Sequence, residues 1–252
     1  MSETSNQPAA AALPPFYRKP MPVEPTRHAR MGISDKITFE FARDSNAILL
    51  TGSEFALAAR SYPIAFSGGE QTVPVAVVGL RERENLFVDA EGKWREDTYI
   101  PAYVRRYPFI FSEVPDSPRL LLCLDEAAEC LETDSKQPFF VADQPSTHLQ
   151  EVLKFCEAFQ MQNQDTQELG RWLNQHGLLE DRTVRSELEG GQVFTLSGFR
   201  LLNVQKLHEL SDAQVLELHK RGWLPLLHFQ LQSLNNWGSL NRMMRSRLQQ
   251  AA

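Results

Sequence analysis

One block, residues 73–111, constrains the fold of this chain more than any other stretch. Its two apolar runs, residues 73–80 and 86–89, are each too short for a stable helix, and a tight Asp89-Ala90-Glu91-Gly92 turn leads on to Trp94. Runs of this length broken by turn residues pair with their neighbours, so the first half of the chain reads as a β-meander of antiparallel type. Pro101 then opens a short helix predicted to reach Tyr107, because its missing N–H is harmless in a first turn, and Pro108 stops it. Tyr99, Tyr103 and Tyr107 recur at every fourth position, which puts them on one face of such a helix, flanked by Arg105 and Arg106.

The flanking stretches follow the same logic. The alternation Ile37-Thr38-Phe39-Glu40-Phe41-Ala42 predicts a half-buried strand, and residues 46–50, 62–66 and 119–125 predict others. Thr51 or Ser53 caps a helix over 54–61 that Pro63 ends. From about Thr147 the period changes: 147–163 and 166–176 read as two amphipathic helices with Leu149, Phe155, Cys156 and Phe159 on the apolar side. A hairpin-like insertion over 185–199 turns at Gly190-Gly191, and helices are predicted over 203–210, over 213–221 behind the Ser211-Asp212 cap, and along the Leu224, Leu227, Leu231, Leu234 stripe. Arg242, Arg245 and Arg247 beyond it suit a helix C-terminus. The expectation is an α+β fold, mainly antiparallel sheet in the first half with a mostly helical second half. Residues 1–25, with six prolines, are expected to be a disordered or extended tail whose residues 16–23 lie across the surface. Residues 26–252 are expected to form a single α+β domain with a helical lobe from about 147.

Charge and patterning remove several function classes. A net charge of −6, from 26 basic and 32 acidic side chains, supplies no general field for nucleic acid or anionic lipid, so no nucleic-acid partner is expected. No apolar run approaches the roughly 20 residues that cross a bilayer. The N-terminus is polar and then proline-rich where a secretory signal needs an apolar core, and three cysteines without a CxxC pair are the usage of a reducing cytosol. A cytoplasmic protein is expected.

Six histidines lack any metal-binding spacing, although His208 and His219 fall on neighbouring predicted helices, so no metal is expected. Ser197 has no GxSxG elbow, Cys123 sits inside an apolar Leu-Leu-Cys-Leu, and Gly68-Gly69 and Gly190-Gly191 lack the companions of a phosphate loop, so no cofactor is expected. What remains is the cluster Tyr99, Tyr103, Arg105, Arg106 and Tyr107. A planar guanidinium takes a carboxylate bidentately and tyrosine supplies a rigid donor, which makes this cluster the candidate ligand- or partner-binding site. In the alternative, the tyrosines are core and the arginines pair with Glu84, Asp89 or Asp97. Neighbours on a helix point about 100 degrees apart, so one arginine is expected to face inward or toward a carboxylate and the other to stay free. The leucine stripe near the C-terminus reads as core, and a dimer through it stays open.

Several pieces in fixed order point further. Glu54-Phe55, Tyr62-Pro63-Ile64-Ala65-Phe66, Pro74-Val75-Ala76-Val77-Val78-Gly79-Leu80, Glu84-Asn85-Leu86-Phe87-Val88-Asp89, Gly92-Lys93-Trp94 and Tyr99-Ile100-Pro101-Ala102-Tyr103-Val104-Arg105-Arg106-Tyr107-Pro108-Phe109 together resemble the SapC family of bacterial proteins. Leu122-Cys123-Leu124-Asp125-Glu126 and Gly222-Trp223-Leu224 extend the resemblance over about 16–240. This is the SapC named for a surface-layer locus, not the peptide-transport permease that shares the label. Members are often encoded near TonB-dependent receptors, flavin-dependent tryptophan-halogenase-like proteins and cupin-like proteins, which implies a shared pathway of nutrient uptake or peptide modification. The resemblance brings no catalytic residues with it. The expectation is a cytoplasmic accessory protein, a binding protein more than an enzyme, that binds a peptide, a small anion or a partner such as a halogenase-like or cupin-like protein. Two alternatives stand beside it. One is an enzyme of unrecognised type using Glu54, Asp89 and Asp125 with Arg105 as electrophile. The other is a component of a surface-layer or secretion assembly.

Overall fold

The computed structural model of the chain describes residues 13–69, 71–114, 117–187 and 193–251. The predicted turn at Gly190-Gly191 and the first twelve residues of the proline-rich tail lie outside the described residues. The elements in chain order begin with strand β1 (Pro20–Pro22), helix α1 (Pro25–His28), β2 (Met31–Ile33), β3 (Ala47–Leu49), α2 (Phe55–Ala58), β4 (Ile64–Ser67) and β5 (Pro74–Val77). They continue with α3 (Ala102–Arg105), β6 (Phe109–Val114), β7 (Ser117–Asp125), β8 (Leu131–Thr133), β9 (Phe140–Val141) and β10 (Gln144–Pro145). The second half holds α4 (Thr147–Gln175), β11 (Leu179–Glu187), β12 (Val193–Leu202), α5 (Val204–His208), α6 (Asp212–Lys220), α7 (Leu224–Ser233) and α8 (Trp237–Ala251). This is an α+β fold with antiparallel sheets and a more helical second half.

Five strands form the largest sheet, in the order β11-β12-β4-β5-β3, and every pairing in it is antiparallel. The long hairpin β11–β12 therefore belongs to the sheet of the first half, joined through Phe199 and Arg200 opposite Ser67 and Phe66. A three-stranded sheet, β1-β7-β6, recruits the N-terminal arm: Pro20, Met21 and Pro22 lie opposite Asp125, Leu124 and Cys123. Proline is tolerated there because β1 is an edge.

Two apolar clusters hold these pieces. The larger contains Ile48, Phe55, Tyr62, Ile64 and Phe66 from the sheet half, with Leu169, Leu173 and Trp223 from the helices. The smaller gathers Phe109, Leu124, Phe139, Phe140, Leu149 and Cys156. Burying one large apolar side chain completely is worth roughly 1.5–3 kcal/mol, so α4, which supplies Leu149 and Cys156 to one cluster and Leu169 and Leu173 to the other, is a principal tie between them.

Four local expectations are corrected. Residues 147–175 form one helix of 29 residues, not two. The Asp165-Thr166 junction does not break it, because the Thr166 hydroxyl donates back to the Gln162 carbonyl (2.6 Å) and accepts from the Gly52 amide (2.7 Å), which uses the side chain without opening the helix. The alternating residues 37–42 end in a single 3₁₀ turn, Glu40–Ala42, in place of a strand. Phe39 and Phe41 are drawn onto aromatic partners, Trp94 at 5.6 Å and Tyr107 at 4.0 Å between ring centroids. The helix over 54–61 is a 3₁₀ turn, Gly52–Glu54, followed by the single turn α2. The helix after Pro101 is likewise one turn, Ala102–Arg105, because the residue before Pro108 is driven from the helical region.

Residues 86–89, expected as the next strand of a meander, make only a bridge from Val88 to Trp94, and Gly79 closes the turn before them by close approach of two backbones. A Cβ at this position would lie 1.9 Å from the Glu84 carbonyl oxygen, so any side chain forces the 79–84 turn apart. Gly79→Ala should lower the free energy of unfolding in urea by roughly 1–3 kcal/mol, the usual range for overpacking. Wild-type stability of this variant would show that the turn is not packed as described.

Candidate functional site

The Tyr99–Tyr107 segment is held by one carboxylate. Glu54, 3% exposed, accepts from the Thr51 amide (2.7 Å) and the Thr51 hydroxyl (2.9 Å) at Oε2, closing a capping box at the turn before α2. At Oε1 it accepts from the Ala102 amide (2.6 Å) and the Tyr99 hydroxyl (3.0 Å). The same side chain thus caps two elements and fixes the start of α3. The Tyr99 oxygen in turn accepts from Arg105 Nη2 (3.0 Å), and Arg105 Nε donates to the Ile100 carbonyl (3.0 Å).

Because α3 is one turn, the three tyrosines do not share a helix face. Tyr103 is buried and donates to the Pro15 carbonyl (3.1 Å). Tyr107 stacks on Phe41 and donates to Asp125 Oδ2 (3.2 Å). Tyr99 lies over the cap. The N-terminal arm covers this cluster: Phe16 packs on Phe41 and Tyr103, and the buried Tyr17 donates to the Phe109 carbonyl (2.6 Å).

The two arginines are not splayed. The Arg105 guanidinium lies 5.2 Å from the Phe155 ring and 5.6 Å from Tyr99, and the Arg106 guanidinium lies 4.5 Å from Phe159 and 4.3 Å from Tyr103. Phe155 and Phe159 are one turn apart on α4, so both cations converge on one helix stripe. Arg106 faces inward, as one of the pair was expected to do, but it meets aromatic faces and not a carboxylate, and its Nε is buried without an acceptor. The pairing with Glu84, Asp89 or Asp97 does not form: among the described residues neither arginine has an ion-pair partner, and Glu84 is taken by Arg81.

The carboxylates named for catalysis are occupied. Besides Glu54, the fully buried Asp125 accepts from the amides of Lys19 (2.6 Å), Arg18 (3.0 Å) and Ala127 (3.3 Å) and from Tyr107. Asp89 accepts from the amides of Glu91 (3.0 Å) and Lys93 (2.8 Å) in its own turn. Each does the work of a cap or turn: Glu54 and Asp125 are buried with both oxygens engaged, whereas Asp89 is exposed and takes both amides at Oδ1. Burial also raises all three thiols above their ordinary value, Cys130 and Cys156 to about 11, which keeps them protonated at neutral pH. Among the described residues no group of His, Cys, Asp and Glu gathers as a metal-holding set, and His208 and His219 are both exposed.

Two clefts open nearby. One of about 430 Å³ is bounded by Phe16, Phe41 and Tyr107 with Arg18 and Lys36 at its edge. A larger groove of about 1070 Å³ runs between the 87–98 loop and α8. The sequence reading missed this groove. Its signal was the Ser239, Arg242, Ser246 spacing, a polar stripe opposite the buried Leu240 and Met244; Arg247, read as a helix-end cation, lies inside α8 and donates to the Asn85 and Val88 carbonyls (both 2.9 Å).

With this geometry in view, comparison with known proteins is decisive on one point. The SapC family model matches residues 23–240. The chain belongs to the SapC family. No curated protein and no solved structure matches it. Among the described residues of this SapC protein no helix is long and apolar enough to cross a membrane.

All five tyrosines of the chain are raised above the ordinary phenol value, chiefly by burial. Tyr99 is pushed up to about 12 by burial and then by the Glu54 carboxylate beside it, against a smaller opposing pull from Arg105. A raised folded value favours the neutral phenol, so this stabilisation is complete below pH ~10 and is lost as pH rises through the folded values. Absorbance titration of the native protein should therefore show little phenolate at pH 10, with ionisation arriving together with unfolding. Reversible ionisation of half the tyrosines at pH 10 in the folded state would contradict this packing.

Proposed function

We propose that this SapC-family protein is a cytoplasmic accessory protein that binds, with no chemistry of its own, a carboxylate-bearing peptide segment or small anion presented by a partner at Arg105 and Arg106. The observation that carries this reading is the pair of guanidinium groups laid on Phe155 and Phe159 with no carboxylate partner among the described residues. Aromatic faces offset part of the cost of holding a cation away from bulk water, typically by about 0.5–2 kcal/mol, and they fix the plane of the fork. An incoming carboxylate would take charge-assisted bonds from the exposed edge of Arg105, with the caged Arg106 adding its positive field.

Neither cleft includes Arg105 or Arg106, so this is a shallow surface. Such a surface suits an exposed segment of another protein better than an enclosed small substrate. The partner class put forward is a halogenase-like or cupin-like protein within an uptake or peptide-modification pathway, as the family resemblance implies.

Affinity purification of the tagged protein from its native host, followed by mass spectrometry, tests the reading. A reproducible partner should be recovered with wild type and lost with Arg105→Ala, which should cost about 0.5–1.5 kcal/mol because it gives up the bonds to Ile100 and Tyr99. Arg106→Ala should cost roughly 1–2 kcal/mol, because it empties a cage between Tyr103 and Phe159. Identical recovery with wild type and both variants would reject the site.

A further inference from the structure

We propose that the groove between the 87–98 loop and α8 is a second binding site, which takes an acidic peptide segment of a partner protein. Its back is fixed by two arginines spent on carbonyls: Arg43 donates to Asp89 (2.7 Å) and Ala90 (3.2 Å), and Arg247 to Asn85 and Val88. Arg60, Lys93 and Arg95 line it with exposed heads, and among the described residues none of the three has a side-chain acceptor or an ion-pair partner. Arg242 donates to Ser239 Oγ (2.9 Å) on the α8 side. The lining holds six cations against Asp89, Glu96 and Asp97, and even with Arg43 paired to Glu40 positive charge is in excess there, on a chain whose net charge is −6.

Shape and charge together select the ligand class. About 1070 Å³ is at the upper end of a small-molecule site and accommodates a short stretch of extended chain. Separated guanidinium forks suit carboxylates presented one at a time. Glu96 and Asp97 interrupt the positive field, so an evenly charged phosphate chain would meet repulsion there, whereas a peptide can set neutral residues beside them. The site is independent of Arg105 and Arg106.

Fluorescence anisotropy of the full-length protein with a fluorescein-labelled peptide of alternating glutamate and glycine tests the assignment. Wild type should bind it, more weakly as salt is raised, and the triple variant R60E/K93E/R95E should bind at least ~10-fold less tightly with an unchanged melting temperature, since no described fold contact uses these side chains. Arg105→Ala should lose at most the residual binding that the triple variant retains, which separates this site from the one at α3. No binding by wild type, equal binding by the triple variant, loss only with Arg105→Ala, or tighter binding of single-stranded DNA of the same charge would each overturn the proposal.

Discussion

The Glu54 carboxylate is the contact on which the arrangement of this SapC protein rests. It is almost fully buried and is satisfied by four donors from three places: Thr51 before α2, Tyr99 in the approach to α3, and the first amide of α3. A buried carboxylate with fewer donors would be costly, and four good donors make it a rigid joint. Through Tyr99 the joint reaches Arg105, and through α3 it sets where Arg106 enters the aromatic cage against α4. A second joint at Asp125 does the same for the N-terminal arm, accepting two arm amides and the Tyr107 hydroxyl.

These two joints explain a lopsided use of charge. Acidic side chains outnumber basic ones, yet Glu54 and Asp125 are consumed by main-chain and hydroxyl donors, while Arg105, Arg106, Arg60, Lys93 and Arg95 have no carboxylate partner among the described residues. Glu54 and Asp125 thus serve as internal fasteners, while these cations stand without a carboxylate. That division is the physical support for the proposed recognition of anionic groups.

Much of the fold was legible because local patterns and tertiary needs agree. The cap at Ser211-Asp212, the left-handed Gly222 after α6 and the Arg119–Asp125 apolar run all form elements where the sequence pattern put them. Failures came where a partner distant in sequence decided. Phe39 and Phe41 alternate like a strand, yet their neighbours are Trp94 and Tyr107, not another strand. The tyrosine spacing of four suggested one helix face, but Pro101 and Pro108 leave room for a single turn, and the residues that orient Arg105 and Arg106 are Phe155 and Phe159, some fifty positions on. The five residues of the expected site do come from one connected region. Burial and hydrogen bonding, which spacing cannot express, put the tyrosines and Arg106 into packing and leave Arg105 exposed.

The most direct test of this account is the unfolding free energy of Glu54→Gln. The change is nearly isosteric, but it turns one acceptor oxygen into a donor facing two donors, so the account predicts a loss of about 2–4 kcal/mol in urea unfolding together with loosening of Tyr99, read as a lower phenol ionisation pH. A Glu54→Gln protein as stable as wild type, with Tyr99 still protected, would contradict the claim that this carboxylate holds the site together.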